Sequence, residues 1–210
     1  MKAIILMNTK SNIVRLMRYK ILAGEIESGT VLIQEDIAKQ LGVSRMPVRE
    51  ALQEMEQEGF LERLANRRIR VAKIGEKEII QNLRILSVLE KELIIMIMQD
   101  SDLVEKLLLY YEKSPLNNLQ GKEDNYIDEI INLHKLYSEL LENNSLHQIH
   151  RRLVEGYLGY YFTKNKSMEL KKYGDLIKEI IMNIQKKDIF TISSLIDKYY
   201  EDIIKNKEEK

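Results

Sequence analysis

Arg45 and Arg49 stand one helical turn apart in the stretch Gly42-Val43-Ser44-Arg45-Met46-Pro47-Val48-Arg49-Glu50. A guanidinium is a planar fork of donors. It can take both acceptors on a guanine edge, or a phosphate. Arg45, Met46, Arg49 and Gln53 lie off the apolar stripe formed by Val48, Ala51, Leu52 and Met55, so they are free to face outward. Solvated arginines on a plain surface helix are the simpler reading of such a pair. That reading leaves the residues around them unexplained.

Those residues specify how the arginines are held. A short amphipathic segment, residues 34–41, precedes them, and a longer one runs to Glu58. Ala38 sits where two helices would pack closely. Gly42 follows the first helix at the point where a positive φ suits only glycine. Ser44 is placed to cap the second helix. Pro47 falls in its first turn, where a missing N–H costs nothing. Helix, glycine turn, and a helix with arginines near its start form a helix-turn-helix that offers its second helix to the DNA major groove.

Flanking segments extend the unit. Gly59 ends the second helix. Residues 60–64 and 68–72 read as strands around a turn at Ala65, Asn66 and Arg67, with Ile69 and Val71 alternating with Arg68 and Arg70. This is a two-stranded β-wing. Its Arg67, Arg68 and Arg70 are placed for the phosphate backbone or a minor groove; the alternative is arginines that only keep a hairpin soluble. A helix over residues 8–25, with Ile13, Leu16, Met17, the Lys20 stem and Ile21 inward, completes the core.

Residues 12–72 resemble the DNA-binding domain of the GntR family of bacterial transcription regulators. The likeness rests on Ile21 to Ile26, Gly29, the run from Asp36 to Leu52, and Glu58 to Leu61. It implies that Arg45 and Arg49 contact base edges, and that Ser44, Met46 and Pro47 approach the DNA at the helix start. Asn66, Arg67 and Arg68 would form the wing tip. Two positions depart from the family. Ser28 stands where proline is usual, and Arg68 where glycine is usual, a change expected to stiffen the tip and add charge.

Charge divides the chain. Residues 1–75 hold 13 Lys and Arg against 9 Asp and Glu, a net +4, while residues 76–210 hold 20 against 24, a net −4. The basic half suits DNA and the acidic half does not. The absence of cysteine excludes a disulfide framework and a thiolate zinc site. The apolar run at residues 3–7 is too short to span a bilayer and lacks the marks of a signal peptide, so the expectation is cytoplasmic, with no membrane partner. No nucleophile–base pair, phosphate loop or paired carboxylate argues for an enzyme.

The boundary is expected near Gly75. Beyond it, helical patterns cover residues 76–99, 102–113, 124–143, 145–163, 167–187 and 189–207, broken by a loop at residues 114–123. The expected fold is mainly α: a winged helix-turn-helix of three helices and a two-stranded wing over residues 1–75, then an all-α six-helix bundle over residues 76–210 for effector binding and dimerisation.

Helix order in this half resembles the FadR subfamily, with its FCD-type C-terminal domain, in the shorter VanR-like branch. Many members hold a divalent metal with one Asp and three His. By the family pattern those positions fall on Ile130, His134, Ile177 and Tyr199, and only His134 matches, so no metal site is expected. His134 and His150 both face inward, while His147 reads as surface. The inward pair could bind a divalent metal, or with Tyr199 contact an effector such as an organic acid, or be satisfied within the core, the reading favoured over a metal. Tyr157, Tyr160, Tyr161 and Phe162 line a cavity or pack a dimer interface. Residues 93–98 are apolar almost all round and should be buried by the core or a partner subunit. The lysine-rich residues 205–210 read as a frayed end. The reading is a repressor that binds a palindromic double-stranded DNA operator as a homodimer under effector control. The alternative is an effector-independent DNA-binding protein whose helical domain only dimerises.

Overall fold

A computed structural model describes residues 9–118, 123–164 and 170–208. The chain divides into two compact units, Met1–Glu76 and Lys77–Lys210. The apolar run at residues 3–7, part of the expected loop before residue 123 and the last two residues of the lysine-rich end lie outside the described residues.

The first unit contains α1 (Thr9–Leu22), β1 (Val31–Leu32), α2 (Gln34–Leu41), α3 (Arg45–Gln57), β2 (Leu61–Arg63) and β3 (Ile69–Val71). Its core is the stripe read from the sequence: Val48, Ala51, Leu52 and Met55 are wholly buried, against Ile13, Met17, Ile37, Ala38 and Phe60. Gly42 closes α2 at φ +66°, and Val43 N–H donates to Ala38 C=O at 3.0 Å. The turn between the two helices is thus set by a backbone conformation that a Cβ would strain.

The wing strands β2 and β3 pair as expected, while two expectations for this unit, an inward Leu16 and a Ser44 cap, are corrected and two features are new. The sheet has three antiparallel strands in the order β1-β3-β2, because Val31 and Leu32 pair with Arg70 and Ile69 on the outer side of β3. A two-residue strand is too short to carry a visible alternation. Leu16 is about a third exposed, and Val14 and Arg18 turn inward instead. The Arg18 guanidinium is bidentate to the Glu58 carboxylate, with Nε at 2.9 Å, and lies 5.9 Å from the Phe60 ring centre. A buried charge is tolerable there because it is paired. Ser44 takes the extended N-cap conformation, but its hydroxyl makes no capping hydrogen bond. At the wing tip Arg67 takes the left-handed conformation, at φ +63°. Loss of glycine at Arg68 therefore imposes no backbone strain there.

The second unit is helical: α4 (Glu76–Met98), α5 (Ser101–Lys113), α6 (Pro115–Asn118), α7 (Glu123–Glu139), α8 (Asn144–Leu153), α9 (Gly159–Lys164), α10 (Leu170–Lys186) and α11 (Ile189–Glu208). Caps explain several starts. Asp100 accepts from Asp102 N–H at 2.9 Å, and Asn143 from Leu146 N–H at 3.1 Å. Pro115 opens a short helical turn where a loop was expected, with Ser114 Oγ accepting from Leu116 N–H at 3.1 Å. The expected helix over residues 145–163 holds a π-helical segment, Val154–Leu158, between α8 and α9.

Three expectations change here too. Tyr157, Tyr160, Tyr161 and Phe162 are all buried inside the unit, so they are not an exposed interface. Tyr161 and Phe162 pack edge to face with Tyr173 and with each other, and Tyr161 and Tyr173 share a hydrogen bond of 2.9 Å. Met96 is 40% exposed, so the run at residues 93–98 is not buried all round by the unit's own core. The helix α11 continues to Glu208, into the segment read as frayed.

Candidate functional site

The helix-turn-helix surface is built by α2, the Gly42 turn and the first turn of α3. Arg45, Met46 and Arg49 are exposed there, with Ser44 exposed and Pro47 half-buried beside them. The same face that buries Val48, Ala51, Leu52 and Met55 forces the arginines outward. Arg49 Nη2 lies 3.3 Å from Met46 Sδ. Arg45 is held differently: its guanidinium is ion-paired with Glu35 on α2. Sequence reasoning did not single out Glu35. An acid beside Arg45 is visible only once the two helices are placed.

The wing carries a second set of cations. Leu64 N–H donates to Arg68 C=O at 2.8 Å, and Asn66 Oδ1 accepts from Arg68 N–H at 3.1 Å, so Asn66 shapes the tip. Arg67 and Arg68 are exposed and form no ion pair among the described residues. Arg70 is instead bonded at 2.7 Å to its cross-strand neighbour Glu62, whose hydrogen bond and charge hold the guanidinium's pKa up. Arg63 is likewise bonded to Glu56 at 2.8 Å. The tip therefore offers two uncompensated charges and its base none.

The expected effector residues converge in the second unit, around a group that was not expected. Glu90 of α4 is 2% exposed. Its Oε1 accepts from His134 Nδ1 at 2.7 Å and from His150 Nε2 at 3.1 Å, and its Oε2 from Tyr200 OH at 2.7 Å. His134 Nε2 lies 3.0 Å from Tyr199 OH, and His150 Nδ1 lies 2.8 Å from Ser138 Oγ. His147, expected at the surface, is half-buried and lies 3.1 Å from Ser138 Oγ. Burial pushes the Glu90 carboxyl up, but the charges and hydrogen bonds of His134 and His150 prevail and bring it down to about 2. Burial and the Glu90 charge push the Tyr199 and Tyr200 phenols well up, so both stay neutral, and Tyr200 donates to Glu90. Glu90 was legible in principle, since it falls on the apolar stripe Leu83, Leu86, Leu93, Ile94 and Ile97 of α4.

The cluster's chemistry is limited by its packing. Ser138, His150 and Glu90 follow one another as nucleophile, base and acid do in hydrolases. Ser138 is fully buried, however, and the adjoining cavity is about 10 Å³, bounded by Glu90, His134, Tyr137, Ile177 and Tyr199. That is room for about one water. Nor do the residues fit the family's metal. Ile130 and Ile177 are buried hydrocarbon without lone pairs, and both His134 nitrogens already have partners. No group of three or more His, Cys, Asp or Glu suited to a metal occurs among the described residues.

Comparison with known proteins agrees with the first unit's geometry. Residues 9–71 match the bacterial regulatory proteins of the gntR family. The chain is 28% identical over 144 residues to YdhC of Bacillus subtilis strain 168, an uncharacterized HTH-type transcriptional regulator; the match covers 66% of this chain and 62% of that protein's length. Among solved structures, Escherichia coli McbR/YncC has a TM-score of 0.66 at 20% identity over 97% of this chain and 99% of that one. Lar, which controls expression of the Listeria monocytogenes agr system, has a TM-score of 0.66 at 16% identity over 95% and 96%. A putative GntR regulator from Rhodococcus sp. RHA1 reaches 0.60 at 18% identity over 97% and 99%. At these identities the likeness is one of fold. The family and these relatives are regulators, not enzymes, and no described helix is long and apolar enough to cross a membrane. The motif, the wing and the match all fall on residues 9–71, so it is this segment that is similar to the bacterial regulatory proteins of the gntR family.

Proposed function

We propose that this protein is a DNA-binding transcription regulator, a repressor that binds a palindromic operator as a homodimer. One observation carries the reading: Arg45 and Arg49 stand exposed on the first two turns of α3, beside a wing tip with the unpaired charges of Arg67 and Arg68. The helix supplies base readout and the tip phosphate contact, with Ser44, Met46, Pro47 and Asn66 around them. Dimerisation is supported by α4, where Ile85 (57% exposed), Val88 (66%) and Met96 (40%) share one face. A second copy would cover that face, and two-fold symmetry of the protein asks for two-fold symmetry of the DNA. The test is Arg49→Ala. Specific binding should weaken by about 1–3 kcal/mol and base preference relax at one position. Unchanged operator affinity would remove the base-reading role.

The helical unit is read as an FCD-type domain, and the Glu90 cluster is where an effector would act. His134, His150, Tyr199 and Tyr200 are the groups that would hold an acidic ligand, and the Glu90 carboxylate already engages them directly or through the cluster. An organic acid would have to displace Glu90, which requires a second conformation with its own affinity for the ligand. The cavity of about 10 Å³ favours the other reading, in which this unit serves dimerisation alone. A thermal-shift panel of carboxylates, amino acids and divalent metals separates them. A ligand that binds the native state raises the melting temperature, and a panel with no response selects the effector-independent protein.

A further inference from the structure

Glu35 and Arg45 are ten residues apart, on α2 and on the first turn of α3, and their side chains are joined across the helix-turn-helix. The side chains are 64% and 66% exposed. An exposed pair of this kind adds little to stability, because water screens it and two long side chains must be ordered. Its position is the informative part. A carboxylate on a DNA-facing surface repels phosphate, and this one cancels the charge of an arginine that opens the recognition helix. A surface selected only for attraction to DNA would omit it.

Two consequences follow from the pairing. Arg45 is taken out of indiscriminate phosphate binding, since its charge is already met. The pair also presents guanidinium donors beside a carboxylate acceptor. In the major groove a G·C pair offers guanine N7 and O6 as acceptors and the cytosine N4 amino group as a donor. Donors next to an acceptor on the protein match acceptors next to a donor on that base pair. An A·T pair interleaves its groups differently and adds a methyl, so it cannot satisfy both side chains.

We propose that Glu35 is a specificity-determining residue, and that with Arg45 it reads one G·C pair in each half-site, Arg45 on the guanine and Glu35 on the cytosine. This rests on the DNA-binding reading above. Selection from a randomised duplex pool by the full-length protein, by Glu35→Gln and by Arg45→Ala tests it, followed by titrations across salt on the selected duplex and on an unrelated one. The wild type should retain one invariant G·C pair per half-site that both variants relax. Glu35→Gln should also bind unrelated DNA several-fold more tightly, with a salt slope steeper by about one ion, as expected when one negative charge leaves the interface. Glu35→Asp, which keeps the charge but shortens the reach, should relax the same position without that gain. If Glu35→Gln keeps the wild-type base preference and unrelated-DNA affinity, the inference is overturned while the DNA-binding reading stands. Selection of no sequence by the wild type overturns both.

Discussion

Replacement of Glu90 by glutamine should destabilise the helical unit by an amount that depends on pH. Glu90 is buried, and its carboxyl is brought from an ordinary value of 4.5 to about 2 by His134 and His150. At ~1.4 kcal/mol per pH unit, that difference corresponds to ~3 kcal/mol. The folded value lies below the unfolded one, so this stability is complete above about pH 4.5 and is lost as pH falls toward about 2. In Glu90→Gln, His134 and His150 keep a neutral amide in place of the carboxylate, and the lost charge is felt most at neutral pH. Removing one partner of a buried ionic cluster costs ~3–5 kcal/mol, which agrees with the figure from the carboxyl itself. For a unit of 134 residues, Lys77–Lys210, ~3 kcal/mol corresponds to a fall in melting temperature of about 10 °C. Calorimetry of wild type and variant from pH 7 to pH 2.5 can resolve the helical unit's transition. The gap should be about 10 °C at pH 7 and shrink steadily below pH 4.5. A gap that stays constant over that range, or is missing at pH 7, would refute the charged-cluster account of Glu90.

Arg67→Ala and Arg68→Ala should each weaken DNA binding by a similar factor on all sequences, reducing the salt slope by about one ion without changing base preference. A change in preference at one base position would give the tip a reading role instead. Gly42→Ala places a Cβ on a residue held at φ +66°; no atom crowds that position, so the cost is backbone strain alone, about 1–2 kcal/mol by urea denaturation. No loss would mean that the turn relaxes freely. Ile85→Glu and Val88→Glu put charges on the exposed face of α4 and should shift the protein toward monomer in analytical ultracentrifugation, with a loss of operator affinity. An unaltered dimer would place the interface elsewhere.

Much of the first unit was legible because its signals are local. A positive φ at Gly42, a proline in the first turn of α3 and a period of 3.6 over Val48 to Met55 are each decided within a few residues. What was misread there depends on distant partners. The edge strand β1 exists only because β3 offers it a free ladder, and Arg18 is buried only because Glu58, forty residues away, comes to meet it. Ser44 sits where a cap belongs, yet position alone does not make the hydrogen bond.

In the helical unit, periodicity located the helices and turned His134 and His150 inward. It could not say what they turn toward. Glu90 meets partners 44, 60 and 110 residues away, on three different helices. A carboxylate on an apolar stripe is a sequence observation. Whether it is a stranded charge, an open ligand site or a closed hydrogen-bonded cluster depends on how those helices pack, because only packing fixes distance and excludes water. The same holds in the first unit. The sequence by itself determined that Arg45 and Arg49 stand on an exposed helix start, since the helix period and its apolar face require it. Only the tertiary structure decided that Arg45 is held by Glu35, because a pairing between two helices depends on the angle at which the glycine turn sets one against the other.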